Sequence, residues 1–342
     1  MTLSVQMEYL LKKCMLNKAS DLHIKAKQVP YLRVSGKLIP ASEEITDNVM
    51  VAQFLRDILA PTDYKAFLEG SEADFAFTYN GVRFRCNAYR DMNGCCLAIR
   101  MLSQTVFSFE TLRIPLILKD FARKKSGMIL ITGTTGSGKS TTMTTILDYI
   151  NSELSEHIIT LEDPIEYIHT GKKSIISQRE IGKDSIGFQQ AIEAAMREDP
   201  DVLMIGEIRD IGSVQAAIAA AETGHLVIST IHTKGVENTV DRIIDMFPAD
   251  QQNQIRTQLS MTLLCVCSQQ LLPGKLPDSR YLATEFMVCN FAIRNLIRQG
   301  KSQLIESTLK TSKSEGMYPM KDSVDKLYHE GLITEEVRNI YT

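Results

Sequence analysis

The apolar positions of this chain follow two rhythms, one before about residue 102 and another after about residue 112. Val5, Leu10, Leu11 and Met15 fall near one face of an opening amphipathic helix, and a second helix is expected over residues 49–59, stopped by Pro61. The rest of the first region reads as short strands. Residues 31–34 and 37–39 flank Ser35-Gly36, a two-residue hairpin signal. Residues 74–79, 82–89 and 95–102 read as an antiparallel meander, joined by primed turns at Asn80-Gly81 and near Asn93-Gly94. In its middle strand Val82, Phe84, Cys86 and Ala88 point one way and Arg83, Arg85 and Asn87 the other, with Arg100 on the neighbouring strand. These elements predict a small α+β domain over residues 1–102, and the polar stretch from Ser103 predicts a linker over 103–111.

Residues 112–342 instead alternate short buried runs with helical spacing, the order a parallel sheet requires. Residues 128–131, 157–161, 202–205 and 225–233 read as buried strands. Helices are expected from Lys139 to about Ile150, over 188–197 and over 214–222, the last closed by Gly224. From about residue 249 to the end the pattern is mostly helical, with candidates at 251–270, 290–298 and 320–341. In 292–298 the apolar face is Ile293, Leu296 and Ile297, while Arg294 and Arg298 make a basic stripe; the plain reading is a surface helix packed on the sheet.

Composition narrows this picture modestly. A length of 342 residues with 44% apolar content suits two domains with packed cores. A net charge of −3 gives no general attraction to nucleic acid, so none is expected as a partner. The first residues lack the order of a signal peptide and no run of 18 apolar residues occurs, so a soluble cytosolic protein without a transmembrane segment is expected. The seven cysteines include no C-x-x-C pair, which points to reduced, buried thiols.

The chemistry lies where strands end. Gly133-Thr134-Thr135-Gly136-Ser137-Gly138-Lys139-Ser140, with Thr141 following, fits the phosphate-loop pattern G-x-x-x-x-G-K-[ST] between a buried strand and a helix. Its glycines let several N–H groups face one anion, Lys139 reaches the β- and γ-phosphates, and the Ser140 hydroxyl ligates Mg²⁺. Glu162, Asp163 and Glu166 follow the strand over 157–161, with Asp163 a candidate to hold Mg²⁺ through water and Glu166 ranked first for orienting an attacking water; an acidic loop is the plainer alternative for each. Glu207 ends the strand over 202–205, as the terminal acid of a phosphate-loop NTPase does. His225 and His232 bracket the last strand, too far apart to share a metal ion, and His232 is a candidate γ-phosphate sensor. Arg83, Arg85 and Arg100 read either as a solvated sheet face or as a guanidinium cluster aimed at phosphate oxygens.

Several further stretches carry a resemblance. They are Ala19-Ser20-Asp21-Leu22-His23, Leu161-Glu162-Asp163-Pro164-Ile165-Glu166-Tyr167, Arg197-Glu198-Asp199-Pro200-Asp201, Glu222-Thr223-Gly224-His225, Asp241-Arg242-Ile243-Ile244-Asp245 and Ala292-Ile293-Arg294-Asn295-Leu296-Ile297-Arg298. With the phosphate loop they make nearly the whole chain resemble the type IV pilus retraction ATPases of the GspE/PilT secretion ATPase superfamily. The resemblance implies a PAS-like N-terminal domain and a RecA-like P-loop ATPase domain in a homohexameric ring. It implies ATP hydrolysis with Mg²⁺, coupled through domain movement to pilus retraction and twitching motility. Glu166 and Glu207 would support hydrolysis, His225 and His232 would form the sensing box, and Arg83, Arg85 and Arg100 match small-domain arginines that contact nucleotide. The implied partners are a PilC-like platform protein at the cytoplasmic face of the inner membrane, and an assembly ATPase or a PilU-like homologue. Assembly ATPases usually carry a four-cysteine zinc insertion after the histidine box; residues 272–284 are short and contain no cysteine, which favours retraction. The last box departs from the family at Gln299, where an acidic residue is commoner. The alternatives are a related protein- or DNA-secretion ATPase, or a nucleotide-binding subunit that does not hydrolyse ATP.

Overall fold

The computed structural model describes residues 3–102, 104–277 and 279–341, so Ser103, at the head of the stretch read as a linker, lies outside the described residues. The chain separates into two compact units. One holds the chain up to Thr105 together with Pro164–Ile168, and the other holds Val106–Asp163 and everything from His169 on.

The first unit runs α1 (Val5–Leu16), β1 (Asp21–Lys25), β2 (Tyr31–Val34), β3 (Lys37–Pro40), α2 (Asn48–Ile58), α3 (Pro61–Leu68), β4 (Ala73–Tyr79), β5 (Val82–Asp91) and β6 (Gly94–Leu102). Its sheet is antiparallel throughout, in the order β3-β2-β1-β6-β5-β4. One face is packed with Met7, Leu10, Leu11, Phe54, Phe77 and Phe84. This is the expected α+β, PAS-like unit. Its helices differ in detail from the sequence reading. The buried stripe of α1 is Met7, Leu10, Leu11 and Cys14, whereas Val5 is 88% exposed. Pro61 does not merely end a helix; it opens α3 from the first helical position, where a missing N–H costs nothing. Positive φ at both Asn80 and Gly81 gives the primed turn expected there. In the next hairpin only Gly94 has positive φ, so that turn is not primed.

The second unit runs α4 (Phe109–Leu112), α5 (Leu118–Ala122), β7 (Gly127–Thr132), α6 (Lys139–Glu153), β8 (His157–Glu162), β9 (Ile175–Glu180), α7 (Phe188–Ala195), β10 (Val202–Ile205), α8 (Ile211–Glu222), β11 (Leu226–Ile231), α9 (Val236–Asp245), α10 (Ala249–Thr262), β12 (Leu263–Pro273), β13 (Arg280–Val288), α11 (Phe291–Gln299), α12 (Ile305–Thr311), α13 (Met320–His329) and α14 (Glu335–Tyr341). The strand order is β13-β12-β7-β11-β10-β8-β9, parallel except for β13. Helices cover both faces, with one core against α7 to α10 and another against α5 and α6. Phe109, inside the stretch read as a linker, is buried in the second of these. The architecture is the RecA-like α/β arrangement expected.

A further expectation fails. The helix read over residues 251–270 stops at Thr262, and the helices of the region from 249 onward are interrupted by β12 and β13, which form a long hairpin on the sheet. Leu263 to Val266 is a continuous apolar run, which periodicity alone cannot assign to strand or helix. Pairing with β7, whose other edge is taken by β11, decides in favour of strand.

Candidate nucleotide site

Because the strands run in parallel, β7, β8, β10 and β11 all end on the same edge of the sheet, and the candidate residues follow them there. The phosphate loop leaves β7 at Gly133, whose φ of 147° suits glycine alone. A Cβ there would lie 2.4 Å from Ser137 Oγ and 2.5 Å from the Gln269 carbonyl oxygen, so the backbone can pass only bare. The loop closes at Gly138, and no side chain caps the N-terminus of α6, leaving the positive end of its dipole to the loop. Lys139 is buried, and its ammonium donates to the carbonyls of Gly133 (2.9 Å) and Thr134 (3.0 Å). Burial lowers its pKa and the Glu207 carboxylate raises it. Thr134, Thr135, Gly136 and Ser140 are exposed, Gly138 and Thr141 half-buried, and Ser137 is buried with a hydroxyl that has no hydrogen-bond partner.

Glu207 follows β10 and is held by Arg209 on one carboxylate oxygen, while His232 Nε2 lies 3.5 Å from the other. Its loop is fastened to β11: Thr230 Oγ1 donates to the Gly206 carbonyl at 2.7 Å, and the Ile208 N–H donates to the Thr230 carbonyl at 3.0 Å. Burial, with Lys139 next, lowers the His232 pKa against the pull of Glu207, so the imidazole is neutral at pH 7. Asp163 stands 3.8 Å from Arg209. Glu162 is buried and accepts from Thr160 Oγ1 (2.6 Å) and Gln178 Nε2 (3.0 Å), which makes it part of the wall. His225 is at the other end of β11, its Nδ1 2.9 Å from the Ala220 carbonyl, and is not brought to this edge.

The remaining candidates belong to the first unit. Arg85 makes a two-point pair with Asp74 (3.2 and 2.6 Å) and reaches Glu166 at 3.6 Å. Arg83 donates to the Ile165 carbonyl at 3.1 Å, and Gln104 bridges the Glu166 carbonyl and the Ile168 N–H, each at 3.1 Å. Residues 164–168 are thus bound by the arginine face of β5. Arg100 lies opposite Arg85 in the register and pairs with Asp21 at 3.0 Å.

Sequence reasoning passed over two residues. Arg209, two positions after Glu207 and paired with both acids, had its signal in that spacing. Gln269 had none, because its strand was read as helix; it is fully buried and donates to Thr142 Oγ1 at 2.7 Å, one turn into α6.

A model of the type II/IV secretion system protein family matches residues 3–337. The chain belongs to that family. It is 40% identical to the "Type IV pilus retractation ATPase PilT" of Pseudomonas aeruginosa over 93% of its own length and 92% of the relative's. It is 41% identical to a "Twitching motility protein" of Neisseria gonorrhoeae, over 90% of this chain and 82% of that one. A crystal structure of the pilus retraction motor PilT with bound ADP superposes with a TM-score of 0.91 at 39% identity, covering 100% of this chain and 97% of that one. This member of the family is a P-loop ATPase, and the retraction-motor reading of its sequence agrees with these relatives. No helix among the described residues is long and apolar enough to cross a membrane.

Proposed function

We propose that this ATPase drives retraction of a type IV pilus as a homohexameric ring at the cytoplasmic face of the inner membrane, acting on a platform protein there. The observation that carries the reading is the buried Lys139 ammonium, held by carbonyls of its own loop beside Glu207 and His232. Those carbonyl bonds are ones a triphosphate replaces with stronger, charge-assisted bonds. The lone Ser137 hydroxyl, the bare backbone at Gly133 and the exposed Ser140 hydroxyl suit a phosphate chain with a hard cation. Mg²⁺ held by Ser140, with Asp163 through water, would supply neutralisation of phosphate charge.

In this reading Glu207 orients the water for in-line attack, Arg209 and His232 fix the carboxylate, and His232 registers loss of the γ-phosphate. Glu166 supports hydrolysis from the first unit. Arg83, Arg85 and Arg100 neutralise phosphate charge by exchanging their present partners, and hydrolysis lets the two units move. Glu162 shapes the wall, and His225 has no part in the chemistry of this edge.

Purified protein tests this directly. Lys139→Ala should lose most nucleotide affinity. Glu207→Ala should keep it while turnover drops on the order of a hundredfold or more, the scale of removing a positioned catalytic group. Normal turnover in Glu207→Ala would remove that residue from the mechanism. Absence of Mg²⁺-dependent ATP hydrolysis by the parent protein would favour the non-hydrolysing alternative.

A further inference from the structure

We propose that Glu285 is a positioning residue that ties the loop carrying His232 to the start of α13, so that the nucleotide state is passed to the C-terminal helices. The inference rests on the reading in which His232 meets the terminal phosphate. Among the helices of the second unit that begin without a side-chain cap of their own are α9 behind Gly235 and α13 behind Pro319. One carboxylate serves both. Glu285 Oε1 accepts the Val236 N–H at 2.7 Å, and Oε2 accepts the Met320 N–H at 3.2 Å. Each bond puts a negative charge at the positive end of a helix.

The loop between His232 and α9 is also anchored to the central sheet. Ser268, directly opposite Glu285 in the β12–β13 register, accepts the Gly235 N–H at 3.0 Å. Thr233 Oγ1 lies 2.7 Å from Thr239 Oγ1, which lies 3.3 Å from Thr132 Oγ1 at the end of β7. The loop is therefore tied at one end to the strand that launches the phosphate loop, and at the other to a carboxylate shared with α13. A displacement of Val236 that follows His232 must either stretch its bond to Oε1 or draw the carboxylate away from Met320. Both N–H groups compete for the orientation of one side chain, which makes α9 and α13 responsive to each other across β13.

Glu285→Gln separates this role from plain packing. The amide has the same size but only one acceptor oxygen, so one helix start faces an N–H donor in place of an acceptor. In full-length protein, amide hydrogen exchange compared between ADP and a non-hydrolysable ATP analogue should change together at residues 236–238 and 320–322. In Glu285→Gln the change at 320–322 should vanish while that at 236–238 remains. ADP affinity should stay within about twofold and kcat fall about fivefold at unchanged KM, the scale of one lost cap. Glu285→Asp, which keeps both oxygens on a shorter stem, serves the same comparison if the amide variant does not fold. Equal exchange at 320–322 in both nucleotides in the parent protein overturns the inference, as does a full difference retained in Glu285→Gln. If Lys139→Ala loses affinity as expected while Glu285→Gln behaves as the parent, only this inference falls. If the parent binds no nucleotide, the ATPase motor reading falls with it.

Discussion

His232 and Lys139 are both pushed toward their neutral forms by burial, yet they differ in what a change of pH does to them. Lys139 starts from an ordinary value of 10.5 and stays charged near neutrality beside Glu207. His232 starts from 6.5 and is lowered, so it is neutral at pH 7 in the folded protein and resists protonation below that. The unfolded chain therefore takes up a proton first as pH falls, and stability is lost from about pH 6.5 downward through the lowered folded value. His169 and His23 are lowered by burial too, so they contribute slopes of the same sign. The expected outcome is a urea midpoint that falls between pH 7.5 and pH 5.5, and falls less in His232→Gln. An identical decline in both proteins would mean that His232 does not feel its surroundings as the structure places it.

Among the elements, the β12–β13 hairpin is where fold and function meet and where sequence pattern is least informative. Its Leu263-Leu264-Cys265-Val266-Cys267 run has neither helical nor alternating period, because both faces of the strand are covered. The strands over 128–131, 157–161, 202–205 and 226–231 were legible because each is short, apolar and bounded by turn or charged residues. The site was legible for the same reason, since the phosphate loop, Glu207 and His232 come just after such runs. Gln269 and Glu285 were not, because their importance comes from pairing partners 127 and 49 residues away. The strand assignment makes a quantitative claim. Val266 is fully buried in the ladder beside β7, so Val266→Ala should cost about 2 kcal/mol in chemical denaturation. On an exposed helix face the same change would be neutral or slightly stabilising, as alanine is the better helix former. A neutral result would return residues 263–270 to the helix.

At the scale of the whole molecule, the question is how turnover in the second unit becomes a pull on something outside it. Helix α11 buries Ile293 and Ile297 beneath α10 and leaves Phe291 76% exposed. Its two arginines are not equivalent. Arg294 donates through Nε to the Cys289 carbonyl at 3.0 Å, so replacing it disturbs the entry to the helix. Among the described residues Arg298 bonds only to Asn295 of its own helix, and its loss leaves the core untouched. Arg298→Ala is therefore the cleaner probe of whether the basic stripe of α11 meets the platform protein. ATP hydrolysis and thermal stability should remain near parental values, since exposed substitutions away from caps and cores usually fall within about 0.5 kcal/mol. Twitching zones of cells carrying the variant should shrink severalfold if the basic stripe meets the platform. Should cells twitch normally with Arg298→Ala and also with the Arg294→Ala, Arg298→Ala pair, force leaves the protein by another surface than α11.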